Sequence, residues 1–164
     1  MKKTLLTTTL LILVSLFAVS CNKGKNASAT TDNGTKLDLS TWQTVDEFAV
    51  KYDAKAESLT INGGEYFQLP LPKELNDGES IKVHLKGQNN GASGFRSWTV
   101  DEVQTTNSDI YMDATFENLP SGDFDLTYTL TAFAPSAYLF IKGPQWGTML
   151  DKLTFTYVSV EYLQ

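Results

Sequence analysis

Residues with chemistry to offer are concentrated in two places. In Phe95-Arg96-Ser97-Trp98-Thr99-Val100, a strand's period of two puts Arg96 and Trp98 outward together if Phe95 faces a core. Large aromatics ordinarily bury themselves, so a Trp held in solvent beside an Arg needs a use. Sugar binding fits: a pyranose offers C–H faces that stack on an indole and a rim of hydroxyls that an Arg, Gln, Asp or His can bind. The reversed register is the alternative. It makes Trp98 and Val100 core and Arg96 an edge residue, and the site vanishes. The second place is the turn Gly143-Pro144-Gln145-Trp146-Gly147, which either presents the Trp146 ring at a fixed angle or plugs one end of a core with it.

The same alternation turns Tyr66 and Gln68 outward beside an inward Phe67 and Leu69, and it turns His84, Tyr111 and Asp113 outward. Tyr138 and Phe140 face outward if Leu139 and Ile141 face inward. Sequence does not assign these strands to sheets, so the residues need not share a side of the domain.

Other chemistries are poorly served. A Ser/His or Cys/His hydrolase would have to use His84, the single His, and no nucleophile elbow accompanies it. Placed between Lys82 and Lys86, it reads as an exposed polar-face residue. A glycosidase needs two carboxylates at a set separation, for which Asp113 with Glu117 or Asp101 with Glu102 are candidates. These acids also fall where a solubilising pattern would put them. An imidazole–thiolate metal site is not expected from one His and one Cys.

The elements that must position these residues are short. Phe48–Tyr52, Ser58–Ile61, Glu65–Leu69, Ser80–Lys86, Phe95–Glu102, Ile110–Glu117, Asp123–Phe133, Tyr138–Lys142 and a final strand from about Leu150 to Tyr162 carry strand patterns. Asn62-Gly63-Gly64 is a turn, Pro70 and Pro72 are expected to end the third strand, and Gly87–Gly94 reads as a loop. No stretch has sustained helical periodicity. The fold class this predicts is all-β: a jelly-roll β-sandwich of two antiparallel sheets.

Before the strands lies a leader. Lys2 and Lys3 precede an apolar run from about Leu5 to Phe17, too short to span a bilayer comfortably, which ends in Ala18-Val19-Ser20-Cys21. Small residues running into a cysteine resemble the lipobox of bacterial lipoproteins, with Ala18 where Leu is commoner. The resemblance implies cleavage before Cys21 and its lipidation. An ordinary secretory signal is the alternative. Cys21 is the sole cysteine, so no disulfide braces the fold. The expected organisation is a signal peptide over 1–20, a lipidated polar tether over 21–40 and a folded domain over 41–164. Cleavage would reduce 13 basic residues to 11 against 19 acids, a net charge near −8. Nucleic acid, which requires a basic stripe, is not an expected partner.

The segments GEYFQLPLP, DGESIKVHLKG, GFRSWTVDE and LFIKGPQWGTMLDKLTFTYVSVEY resemble the xylan-binding carbohydrate-binding modules attached to, or inserted in, bacterial endo-xylanases. They are similar in style to the jelly-roll group that includes families four and twenty-two. The resemblance runs from about Asp46 to Tyr162. It implies a glycan groove on one concave sheet, with Trp98 as the stacking aromatic, Arg96 beside it, and a recurrent aromatic at Trp146. It also implies a structural calcium ion drawing on Asp151, although the acids of these loops could equally be solvated. The expected arrangement differs from those modules in having a lipid anchor where they have a catalytic domain.

The expectation is therefore a non-catalytic protein of the cell envelope, anchored by lipid at Cys21 in what is expected to be the outer membrane. It would bind xylan or a related β-glycan through Trp98, Arg96, Tyr66, Gln68, His84, Tyr111 and Trp146, and an envelope enzyme or glycan-uptake system is a candidate partner. A structural or protein-interaction lipoprotein is the main alternative, with a glycoside hydrolase behind it. Trp98 discriminates: a glycan binder should hold it in a solvent-exposed groove, a scaffold should bury it or leave it on a flat patch.

Overall fold

A computed structural model describes residues 33–44, 50–101, 114–143 and 150–164. Cys21, Tyr111 and Trp146, with the leader and most of the tether, lie outside the described residues. Ten strands are present among those described: β1 (Thr35–Lys36), β2 (Val50–Asp53), β3 (Ser58–Asn62), β4 (Tyr66–Leu75), β5 (Ser80–Asn90), β6 (Gly94–Val100), β7 (Ala114–Glu117), β8 (Gly122–Thr131), β9 (Ser136–Lys142) and β10 (Lys152–Tyr162). They form two antiparallel sheets, as the alternation predicts. The larger runs β2-β3-β10-β5-β8, with β1 pairing β10, and the smaller runs β4-β9-β6-β7. The fold is a β-sandwich of the jelly-roll class.

Strict alternation makes the large sheet. Ile81, Val83 and Leu85 of β5 pair with Leu130, Tyr128 and Leu126 of β8, and these side chains share the inner face. Burying each aliphatic side chain contributes about 1.5–3 kcal/mol. The two sheets meet through aromatic rings: Phe155 of β10 meets Phe67 of β4 edge-on at 5.3 Å and Phe95 of β6 at 6.1 Å. Among the described residues, one buried side-chain polar atom in this interior is left unsatisfied. The Tyr128 hydroxyl is buried with no hydrogen-bond partner; burial pushes its pKa up, and nearby Ser97 opposes that only in part.

Strict alternation would keep Phe155 and Tyr157 on one face, but β10 breaks step. Between Phe155, opposite Gly87, and Tyr157, opposite Lys86, one extra residue bulges out. The bulge lets Phe155 and Val158 both reach the core. It also explains why β5 runs on through Gly87, where a loop is expected from sequence: a Cβ there would overlap the Thr154 carbonyl oxygen and stand 2.7 Å from Phe124 Cζ. The glycine marks a close strand approach rather than a turn.

Two further boundaries differ from the sequence reading. Strand β4 continues past Pro70 and Pro72 to Leu75, because it is an edge strand whose register shifts between Pro70 and Leu75; a proline lacking an N–H is tolerated there. The fold also begins before Thr41. Thr35 and Lys36 pair with Val160 and Ser159, and Leu37 and Leu39, the large apolar residues of the expected tether, are buried in the core. Finally, the turn at Asn62–Glu65, closed by Glu65 N–H donating to the Asn62 carbonyl at 3.2 Å, joins no hairpin. It carries the chain from β3 in one sheet to β4 in the other.

Candidate functional site

The two outward sheet faces differ in kind. On the small sheet, the strands that send Phe67, Leu69, Phe95, Leu139 and Ile141 into the core send Tyr66, Trp98, Val100, Tyr138 and Phe140 the other way, into a separate apolar cluster. Register arranges this face in rows across β6, β9 and β4. One row is Arg96–Lys142–Tyr66, the next Trp98–Phe140–Gln68 and the third Val100–Tyr138–Pro70. Ser97, on the inner side, ties β6 to β9 by donating its hydroxyl to the Phe140 carbonyl at 3.0 Å. The outer margin at Gln68 is closed by reciprocal backbone hydrogen bonds with Gln43, at 3.0 and 2.9 Å.

Three rings form a stack across these strands. Trp98 lies against Phe140 at 4.1 Å and 26°, and Phe140 against Tyr66 at 4.7 Å and 18°. The spacings are close to the ~4.8 Å between neighbouring strands, so the rings stand on the sheet leaning on one another. This corrects the expectation of a solvent-exposed Trp98. The indole faces away from the sandwich interior, yet Trp98 is only 3% exposed, with one ring face against Phe140. Tyr66 and Gln68 are likewise outward and buried. Arg96, Tyr138 and Pro70 are the partly exposed members of these rows.

His84 is not part of this group. It lies on the outer face of the large sheet, on the opposite side of the sandwich, in rows Glu161–Lys82–Thr129, Ser159–His84–Thr127 and Tyr157–Lys86–Asp125. It is not the exposed residue expected either. His84 is 6% exposed, its imidazole edge-on to Tyr157 at 5.5 Å, and its Nε2–H donates to Asp125 Oδ1 at 2.6 Å. Lys86 Nζ meets Asp125 Oδ2 at 3.1 Å, and Lys82 pairs with Glu161. The hydrogen bond from His84 holds the Asp125 carboxyl below its ordinary pKa; desolvation opposes it, and the contact with Lys86 adds to the lowering.

Ser159 is the cross-strand neighbour of His84, so the residue types of a hydrolytic triad stand side by side. Ser159 is 1% exposed, which leaves no approach for an acyl carbon in this arrangement. The carboxylate pairs considered for glycosidase chemistry each fall partly outside the described residues. A shallow cleft of about 570 Å³ opens beside the bulge, lined by Lys86, Gln88, Asp123, Asp125, Thr154 and Thr156. Its aromatic residue, Phe124, is buried and offers no stacking surface.

Asp151 stands apart from both faces, at the end of the sheet. Its carbonyl accepts from Gly63 N–H at 2.8 Å, and its carboxylate lies beside Gly91, 3.4 Å from where a Cβ would be. Among the described residues no group of three or more His, Cys, Asp or Glu side chains is placed to hold a metal ion.

No protein-family model matches the chain, and no curated protein matches its sequence. Solved structures do resemble it. The ligand-free BiXyn10A CBM1 module aligns with TM-score 0.50 at 11% identity, covering 79% of this chain and 98% of that one. The C-terminal CBM6 of the laminarinase LamC from Zobellia galactanivorans aligns with TM-score 0.49 at 9% identity, covering 78% and 98%. A carbohydrate-binding module of Cellvibrio mixtus lichenase 5A, solved with cellotriose, aligns with TM-score 0.49 at 8% identity, covering 79% and 98%. At such an identity the likeness to the BiXyn10A module shows the fold alone, a β-sandwich of two antiparallel sheets.

Proposed function

We propose that this chain is a non-catalytic carbohydrate-binding protein whose glycan face is the outward face of the four-stranded sheet. One observation carries the reading: that face is aromatic although the sandwich already has its core on the other side of the same strands. A sheet face turned from the core is ordinarily polar, as the face around Lys82, His84 and Lys86 is. Tyr138 supplies a partly exposed ring packed against the Tyr66–Phe140–Trp98 cluster, and Arg96 a partly exposed donor on the same face. The sandwich likeness to a carbohydrate-binding module supports the same reading.

The finer reading follows from the sequence. The ligand is xylan or a related β-glycan, Cys21 is lipidated, and the tether holds the domain at the cell envelope, with the outer membrane as its site. Capture there would hand glycan to an envelope enzyme or importer. Open, hydrated sugar sites give affinities on the order of micromolar to millimolar. Calcium near Asp151 would act as a structural ion only.

Native gel retardation of the protein on xylans, β-glucans, mannans and pectins tests this, with and without chelator. Retardation by a β-glycan supports the reading; loss of it with chelator supports the ion as well. A second reading, a protein-interaction lipoprotein, is favoured by the burial of Trp98 at 3% exposure. Absence of retardation on every glycan, with an envelope protein recovered by pull-down, would favour that reading instead.

A further inference from the structure

We infer that two copies of this chain associate edge to edge through β8, joining their six-stranded sheets into one continuous antiparallel sheet. A strand at the end of a sheet offers unpaired N–H and C=O groups to any other strand, and folded proteins ordinarily blunt such edges. Three of the four ends of the two sheet paths are blunted here. As described, β2 (Val50–Asp53) and β7 (Ala114–Glu117) have four residues each. Strand β4 carries Pro70 and Pro72, and Gln43 is hydrogen-bonded along it at Gln68. Strand β8 is different. It has ten residues, Gly122–Thr131, without a proline or a lysine, and among the described residues it pairs β5 on one side and no strand on the other.

The side chains along this edge point to what covers it. Leu126 and Tyr128 pack on the core yet remain partly exposed, whereas Ile81, Val83 and Leu85, one strand further in, are fully covered. A strand added beyond β8 extends the inner layer over them. Just past β8, Phe133 is 62% exposed. At the other end of the strand Pro120 and Ser121 are exposed beside a partly buried Leu119. An isolated exposed ring is ordinary; this one has a complement at the opposite end of its own strand.

That complement selects a second copy as the occupant. Two β8 strands pair antiparallel about a two-fold axis, and direct partners must lie on the same sheet face. The axis therefore falls at a residue, and the middle of the strand offers Leu126 or Thr127. About Thr127, Asp125 meets Thr129 of the second copy and Asp123 meets Thr131. About Leu126, the same acids meet Thr127 and Thr129. Either register keeps the two charges of β8 from facing each other, as cross-strand pairing requires. Either also brings Phe133 of each copy to the Leu119-Pro120-Ser121 turn of the other. The contact is isologous, so association closes at two. Continuous inner faces leave both four-stranded sheets on one side of the pair, with their outward faces turned the same way. Under the glycan reading above, one polymer then meets two sites at once.

Sedimentation equilibrium tests this on the full chain in density-matched detergent, from about 1 µM to about 1 mM. Thr127→Asp, Phe133→Ser and Thr156→Asp are run beside it, with melting temperatures as folding controls. Thr127 is exposed, and an acid there faces Asp125 of the second copy in one register and its own equivalent in the other. The expected result is a monomer–dimer equilibrium in the parent, weakened roughly tenfold or more by Thr127→Asp and measurably by Phe133→Ser. Thr156→Asp, which adds the same charge at an exposed position of β10, two strands from the edge, should leave the equilibrium unchanged. A monomer at every concentration overturns the inference. So does a dimer that survives both Thr127→Asp and Phe133→Ser, or one that Thr156→Asp weakens equally. Phe133 lies in solvent outside the strands, so its variant reads the interface even where Thr127→Asp fails to fold. Association is read without sugar, so its failure leaves glycan binding standing, and failure of glycan binding leaves the dimer.

Discussion

Trp98 and Phe140 are cross-strand partners whose rings lie 4.1 Å apart and 26° from parallel, on the side of the small sheet that the sandwich core does not use. The indole is thus a structural support for the face and not an open platform. Removing it deletes one end of the Tyr66–Phe140–Trp98 stack. Trp98→Ala should destabilise the domain by about 3–5 kcal/mol, read as a lower melting temperature. Trp98→Phe, which can still lean on Phe140, should lose distinctly less.

Tyr138 has a different part. It packs against the same cluster yet keeps part of its ring in solvent, so it is the aromatic a sugar can reach. Tyr138→Ala should weaken glycan retention by roughly tenfold or more, as central aromatic anchors do. Its melting temperature should fall less than that of Trp98→Ala. The converse pattern, with retention kept and stability lost, would make Tyr138 a packing residue.

Much of this was legible in the residues, and the limits were physical. Period-two alternation separated Phe95, Phe67 and Leu139 from Trp98, Tyr66 and Tyr138 correctly, because a strand's pleat fixes which face each side chain takes. It did not tell whether the second face was wet. Exposure of Trp98 depends on Phe140, 42 positions on in the sequence, and on which strands become neighbours. Nor did it divide His84 from Trp98, because strand order is set by long-range pairing. Leu37 and Leu39 gave the signal that the fold begins early, two large apolar residues in an otherwise polar stretch. Gly87 misled, since a glycine required by a close approach of strands looks in sequence like one required by a turn.

On the opposite sheet, acid should act through Asp125. Its folded pKa lies below the ordinary 3.8, so the stabilisation is complete above that value and is lost as pH falls through the folded pKa. Thermal melts should show stability level from neutral pH down to about pH 5 as far as this group is concerned, then declining. Asp125→Asn should flatten that part of the acid limb. An unchanged acid limb would mean the His84 and Lys86 contacts contribute nothing in solution; the carboxylate is 62% exposed, which keeps the effect small.

Tyr128 offers a test with the opposite sign. Its hydroxyl is buried without a partner, a cost that the aromatic ring's contacts with Phe95 and Phe116 offset. Tyr128→Phe removes the unmet group and keeps the ring, so its melting temperature should equal or exceed that of the parent. A fall of several degrees would show that the hydroxyl has a solution partner, with Ser97 the nearest candidate.

The central claim is that glycan meets the small sheet. It is tested most directly by amide and indole chemical-shift mapping during titration with xylan-derived oligosaccharides. The account predicts shifts centred on Arg96, Trp98, Tyr138, Phe140 and Lys142, with the Lys82–His84–Lys86 face unmoved. Shifts centred on that opposite face, or none at saturating sugar, would contradict it.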